Sequence, residues 1–101
     1  MVLNRENIIT KLKELKPIYE KEGIVLLGLF GSYAKDKQTR FSDIDVAYRL
    51  EYDKFSQNYI GGFSKILRID AIKEELQSIF HKQIDLVPNS NKSIVKDIIY
   101  V

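Results

Sequence analysis

No cysteine occurs among the 101 residues. That excludes a disulfide framework, a thiol nucleophile and thiolate ligation of a metal. Histidine occurs once, at position 81, so a zinc site built on several histidines is excluded as well. Charge of one sign is nearly absent in excess: the net charge is +2, too small for a dedicated DNA-binding face, and no direct DNA binding is expected. No apolar run approaches the length of a membrane span. The first residues carry charges every few positions, unlike the apolar core of a secretory signal, so the expected compartment is the cytoplasm. What is present is ordinary for a folded protein: 45% hydrophobic and 30% charged residues. The length predicts one domain over 1–101 with a modest core.

The most informative stretch runs from Ile24 to Leu50. Ile24 to Phe30 is short, apolar and rich in branched residues, which predicts a buried strand. It ends in Gly31-Ser32; ten residues follow Ser32, and then comes Asp43-Ile44-Asp45. Asp43 to Leu50 reads as a second strand, in which Asp43 and Asp45 share one face roughly 7 Å apart. Two carboxylates so placed repel unless a cation sits between them, and a divalent metal is the simplest remedy. Gly31 permits close backbone approach, and Ser32 offers a hydroxyl to a phosphate oxygen.

Around this stretch, Ile8, Ile9, Leu12, Leu15 and Tyr19 recur at helical spacing within 4–22. Asn4 is the expected N-cap, Gly23 the stop, and Pro17 a kink or a restart. Gly28 leaves space on one face of its strand. Ser32 to Lys35 predicts a short helical turn, and Asp36 to Ser42 a loop. Glu51 to Gly62 is unreadable apart from the break at Gly61-Gly62. Phe63 to Phe80 predicts an amphipathic helix with Ile66, Leu67, Ala71, Ile72, Leu76, Ile79 and Phe80 on its apolar side, capped by His81. Gln83 to Pro88 predicts a third strand. A last helix is expected from Lys92 or Ser93, with Ile94, Val95, Ile98 and Ile99 on one side.

Asp85 stands in an otherwise apolar strand. It either faces solvent or joins Asp43 and Asp45 in a three-carboxylate metal site. An EF-hand loop is excluded by Tyr48 at the position that needs glycine. A P-loop is excluded by Asp36 and Gln38 in place of its second glycine and its hydroxyl. Lys35 and Arg40 are candidates to neutralise a triphosphate, with Lys37 on a solvated loop. Tyr33, next to Ser32, is a candidate for a nucleobase pocket.

Gly31-Ser32, the ten-residue spacer and Asp43-Ile44-Asp45 closely resemble the signature of the DNA polymerase beta-like nucleotidyltransferases. The spacing is that of the minimal members, the MNT or MntA-type antitoxins that accompany HEPN-domain toxins. The likeness extends over nearly the whole chain, through Phe30 to Ala34, Ser42 to Asp45, Ile84 to Val87 and the ending Ile98 to Val101. It implies an α/β fold, a small mixed sheet with helices packed on one face. It implies catalytic and metal-binding roles for Asp43, Asp45 and Asp85, with Mg2+, two ions, as cofactor and ATP as substrate. Asp43 and Asp45 would hold metals bridging the nucleotide phosphates, and Asp85 the metal nearest the attacking hydroxyl. Gly31, Ser32, Lys35, Arg40 and Ser42 would bind the nucleotide, Gly31 and Ser32 at its beta and gamma phosphates.

The chain departs from the pattern once: Ala34-Lys35-Asp36 stands where the family usually has Ala-Arg-Gly. Lysine keeps the charge without the bidentate fork, and Asp36 adds a negative charge near the triphosphate. The larger members carry a separate acceptor-binding domain that has no counterpart in this chain, so the expected acceptor is a tyrosine of a partner, a HEPN-type ribonuclease toxin. The alternatives are an antitoxin that neutralises by binding alone, or a transferase acting on a small molecule such as an antibiotic.

Overall fold

The computed structural model describes residues 2–90 and 97–101. Asn4 caps the first helix by accepting the Asn7 N–H at 2.8 Å. That helix, α1 (Arg5–Glu20), buries Ile8, Leu12 and Tyr19, the spacing that the sequence predicts for its inner face. It contains Pro17 without being divided there, against the expected break. Pro17 is exposed and within a turn of the helix end, so the missing N–H removes a bond just before the helix stops. The chain then turns at Gly23 into β1 (Ile24–Phe30) and α2 (Gly31–Ala34).

Strand β2 (Ile44–Leu50) returns antiparallel to β1. It starts one residue later than expected, leaving Asp43 exposed just ahead of it. Helices α3 (Tyr52–Asn58) and α4 (Gly62–Phe80) lead to β3 (Ile84–Pro88), which runs parallel to β2. The short β4 (Ile99–Tyr100) closes the other edge, giving the order β3-β2-β1-β4.

The register of β1 on β2 slips between Leu26 and Gly28. This bulge resets the alternation of β1. Ile24, Leu26 and Leu29 face the core opposite Leu50, Tyr48 and Val46, whereas Phe30 comes opposite Asp45. One apolar cluster joins these residues and Ile44 and Ile84 to Ile8, Leu12, Phe55, Ile72, Leu76 and Phe80. The helices therefore cover one face of the sheet, and Asp45 and Asp85 belong to the other, where strand alternation puts them.

The structure corrects the expectations for α4 and for the end of the chain, and fills in the segment after Glu51 that the sequence leaves unread. Within α4 the packed row is Ile69, Ile72, Leu76, Ile79 and Phe80, while Ile66 and Leu67 are exposed together with Phe63. Counted around the helix from Ile72, those three fall on the opposite half of the circumference. The segment after Glu51 contains a helix, α3, whose Phe55 is fully buried. The expected final helix lies mostly on 91–96, outside the described residues. Its continuation through Ile99 is instead strand, pairing with Leu29. The space left by Gly28 explains this: a Cβ there would collide with the Ile99 carbonyl, so the close neighbour is the chain's own backbone.

At the end of the sheet away from Asp45, Arg68 grips Glu22 with two bonds of 2.8 Å and Glu75 with one of 2.7 Å. Tyr19 donates to Glu75 at 2.9 Å, and Tyr59 donates to Glu22. This partly buried network ties α1, the C-terminal end of α3 and α4 together, and no sequence period announces it.

Candidate active site

Three strand ends, those of β1, β2 and β3, lie together at one end of the sheet. The last residue of β1, Phe30, is opposite Asp45. Across β2, Asp45 is in register with Asp85. Gly31, the first residue of α2, has φ +75, and a Cβ on it would strike the Asp45 carboxylate. The position thus demands glycine twice, for its left-handed backbone and for the closeness of the Asp45 oxygen. Burial first, then the Asp85 and Asp43 charges, push the Asp45 carboxyl up from 3.8 to about 6. None of the three aspartates has an ion-pair partner among the described residues.

The donor set fits an oxygen-seeking divalent cation. It consists of carboxylates only, on an open sheet face, with mutual repulsion that a cation would relieve. Among the described residues, no three acidic or histidine side chains are gathered around a single point. The aspartates therefore sense one another's charge while standing apart.

Ser32 follows Gly31 in α2, half-buried, and Tyr33 is buried in the core cluster, which corrects the expectation of a base-lining ring. Arg5 reaches across to the Ala34 carbonyl at 3.4 Å and fixes the end of α2. The chain leaves α2 through paired bonds, Lys37 N–H to Ser32 carbonyl at 2.9 Å and Asp36 N–H to Tyr33 carbonyl at 3.3 Å. This is a Schellman closure, and its left-handed position falls on Asp36, at φ 58. The closure explains why glycine suits that position and why aspartate, which tolerates the left-handed region, stands in for it. Lys35 pairs with Asp97 at 3.4 Å on the surface, a link that solvent weakens and a phosphate could replace.

The loop before β2 is braced. Thr39 N–H donates to Ser42 Oγ at 2.9 Å and Phe41 N–H to Thr39 Oγ1 at 3.2 Å. Ser42 thus supports the loop that delivers Asp43. Arg40 does not lie with Gly31 and Ser32. It lines a cleft of about 520 Å³ together with Phe41, Asp43, Gln77, His81, Lys82 and Gln83. The cleft joins the loop before β2 to the junction of α4 and β3, so it opens on the opposite side of β2 from Gly31. His81 caps α4 as expected, at φ 54, and also faces this cleft. Phe41, Gln77, Lys82 and Gln83 were not singled out by sequence reasoning; only an exposed aromatic among polar loop residues hints at the cleft.

Comparison with known proteins places the chain in a family. Residues 5–100 match the family described as the nucleotidyltransferase domain. A protein of Methanocaldococcus jannaschii, named as a candidate protein adenylyltransferase, is 34% identical over 96 residues, 88% of each chain. The protein adenylyltransferase MntA of Thermococcus cleftensis is 26% identical over 102 residues, 95% of this chain and 91% of its own. A crystal structure of a toxin-antitoxin with AMP-PNP superposes at a TM-score of 0.50 and 27% identity. The match covers 88% of this chain and 60% of that one. With the glycine-serine turn held against Asp45, and Asp85 in register beside it, the chain belongs to the nucleotidyltransferase family, enzymes that transfer a nucleotidyl group from a nucleoside triphosphate.

Proposed function

We propose that this nucleotidyltransferase is a cytoplasmic antitoxin that moves AMP from ATP to a tyrosine of a HEPN-type ribonuclease toxin. The observation that carries the reading is the Asp45 carboxylate packed against Gly31 with Asp85 in register on the neighbouring strand. The names of the relatives and the toxin-antitoxin neighbour support the class of acceptor.

Gly31 and Ser32 hold the triphosphate tail, with Lys35 near enough in sequence to exchange Asp97 for a phosphate. Asp43, Asp45 and Asp85 would hold two Mg2+ ions, which supply charge neutralisation on the phosphates and the entering oxygen. In the transfer, the tyrosine oxygen bonds to the alpha phosphorus as the bond to the alpha-beta bridging oxygen breaks. Pyrophosphate leaves with that electron pair, and the phenolic proton passes to Asp85 and on to water.

Asp85→Asn tests this. It keeps size and hydrogen bonding, and Asp85 is exposed, so folding is preserved. Co-expressed with the partner toxin, the variant should still associate but slow transfer about 100-fold or more. Intact mass of the partner reads the added nucleoside monophosphate. Full neutralisation with no added mass would favour the second reading, neutralisation by binding alone. The exposed row of Phe63, Ile66 and Leu67 on α4 supports that reading.

A further inference from the structure

The cleft beside Asp43 has a built character that nucleotide binding at Gly31 and Ser32 does not explain. Phe41 is 80% exposed, yet the loop that presents it is held from several directions. Ser42 N–H donates to the Thr39 carbonyl at 3.1 Å and Thr39 N–H to Ser42 Oγ at 2.9 Å. Across the cleft, Lys82 Nζ donates to the Arg40 carbonyl at 2.9 Å. The Arg40 guanidinium lies 4.8 Å from the centre of the Phe41 ring. An exposed aromatic on a loop braced in this way offers a platform for another flat group.

The charges of the cleft are one-sided. Arg40 and Lys82 are its cations, His81 adds an imidazole, and Asp43 is its one carboxylate. Among the described residues, neither Arg40 nor Lys82 forms an ion pair. Asp43 itself belongs to the carboxylate set, so a bound divalent cation would leave the wall net positive. The sheet order adds direction: the turn at Gly31 and Ser32 is on the β1 side of Asp45, and this cleft is on the β3 side. A nucleotide on the first side leaves the second open to the group that attacks it.

We infer that this cleft is the acceptor subsite, taking a tyrosine-bearing segment with acidic residues flanking the tyrosine. The ring stacks on Phe41, the flanking carboxylates meet Arg40 and Lys82, and the phenolic oxygen points past Asp43 toward Asp45 and Asp85. The inference rests on the protein-adenylyltransferase reading for its acceptor class. The test below separates the two.

The test is titration of the isotope-labelled chain, followed by amide NMR, with two capped tripeptides, Glu-Tyr-Glu and Lys-Tyr-Lys. The acidic peptide should shift the amides of residues 40–43 and 81–83 and bind roughly tenfold more tightly than the basic one, as opposite charges at a surface allow. Phe41→Ala should lose most of this binding, and Arg40→Glu should reverse the preference. Phe41→Ala should keep wild-type affinity for AMP-PNP, whose shifts should centre on Gly31 and Ser32. Equal binding of the two peptides, no binding, or shifts centred elsewhere would overturn the subsite, even if the partner protein is adenylylated. Seating of the acidic peptide without any transfer to partner protein would leave the subsite standing and defeat the transferase reading instead.

Discussion

Removing the charge at position 45 should stabilise the metal-free protein, although it destroys a site residue. Asp45 is lifted from 3.8 to about 6, so its ionised form is less favourable in the folded chain than in the unfolded one. Between those values the folded chain keeps a proton that the unfolded chain has released. Stability therefore falls as pH rises from about 4 through about 6 and stays lower above that. At roughly 1.4 kcal/mol per tenfold change in proton affinity, the loss is at most about 3 kcal/mol. Asp45 is half-buried on an open face, and solvent screening reduces this to about 1–2 kcal/mol. Asp45→Asn should then unfold at higher urea than wild type at pH 8 without metal, and the two should converge toward pH 4. Adding Mg2+ should stabilise the wild type and close the gap at pH 8, because metal binding needs the ionised carboxylate. A variant less stable than wild type at pH 8, or a difference that does not change with pH, would refute the carboxylate crowding.

Three further outcomes are expected. Ser32→Ala should weaken nucleotide binding by about 1.5–3 kcal/mol, the value of a hydrogen bond to a charged group, read by calorimetry with AMP-PNP; unchanged affinity would mean that the hydroxyl faces away from the phosphates. Asp36→Gly should raise stability by up to about 1 kcal/mol by relieving the left-handed backbone, and should tighten triphosphate binding by removing a negative charge; denaturant titration and calorimetry check the two effects separately. Arg68→Ala should cost about 1–2 kcal/mol, since it leaves the partly buried Glu22 without its partner while Glu75 is solvated, and should leave turnover of folded protein unchanged; a midpoint within error of wild type would show the network to be ornamental.

Much of the fold was legible because its signals are local. Asn4, the apolar run of β1, the alternation after Asp43 and the left-handed cap at His81 each act within a few residues, and each is found where expected. What escaped is non-local. Phe55 is a lone core aromatic in a short helix, and its burial depends on elements far from it in the chain. β4 is two residues long and has no period to detect; it exists because Gly28, remote in sequence, leaves its backbone room. The apolar residues of α4 lie around the whole helix, so the pattern could not tell the packed row from Phe63, Ile66 and Leu67.

The candidate site shows the same division, with a consequence for how it works. Asp45 and Asp85 are far apart in sequence, and a strand pattern alone cannot say that they are neighbours. Parallel pairing makes Ile44 opposite Ile84 and so brings the two aspartates into register. On the other side of β2, the bulge between Leu26 and Gly28 decides what Asp45 meets. Were β1 paired residue for residue with no bulge, Leu29 would come opposite Asp45 and leave the core face, and Phe30 would come opposite Ile44 and take its place there. The glycine-serine turn would then be one register position away from Asp45. The bulge thus keeps the hydrophobic face of β1 continuous while aiming its end at the carboxylate. Gly31 completes the fit, because any side chain there would occupy the space of the Asp45 oxygen. The spacing between Gly31-Ser32 and Asp43-Ile44-Asp45 is accordingly a packing constraint. The intervening loop closes α2 through Asp36 and braces Asp43 through Ser42, and its two ends must reach adjacent strands in that one register.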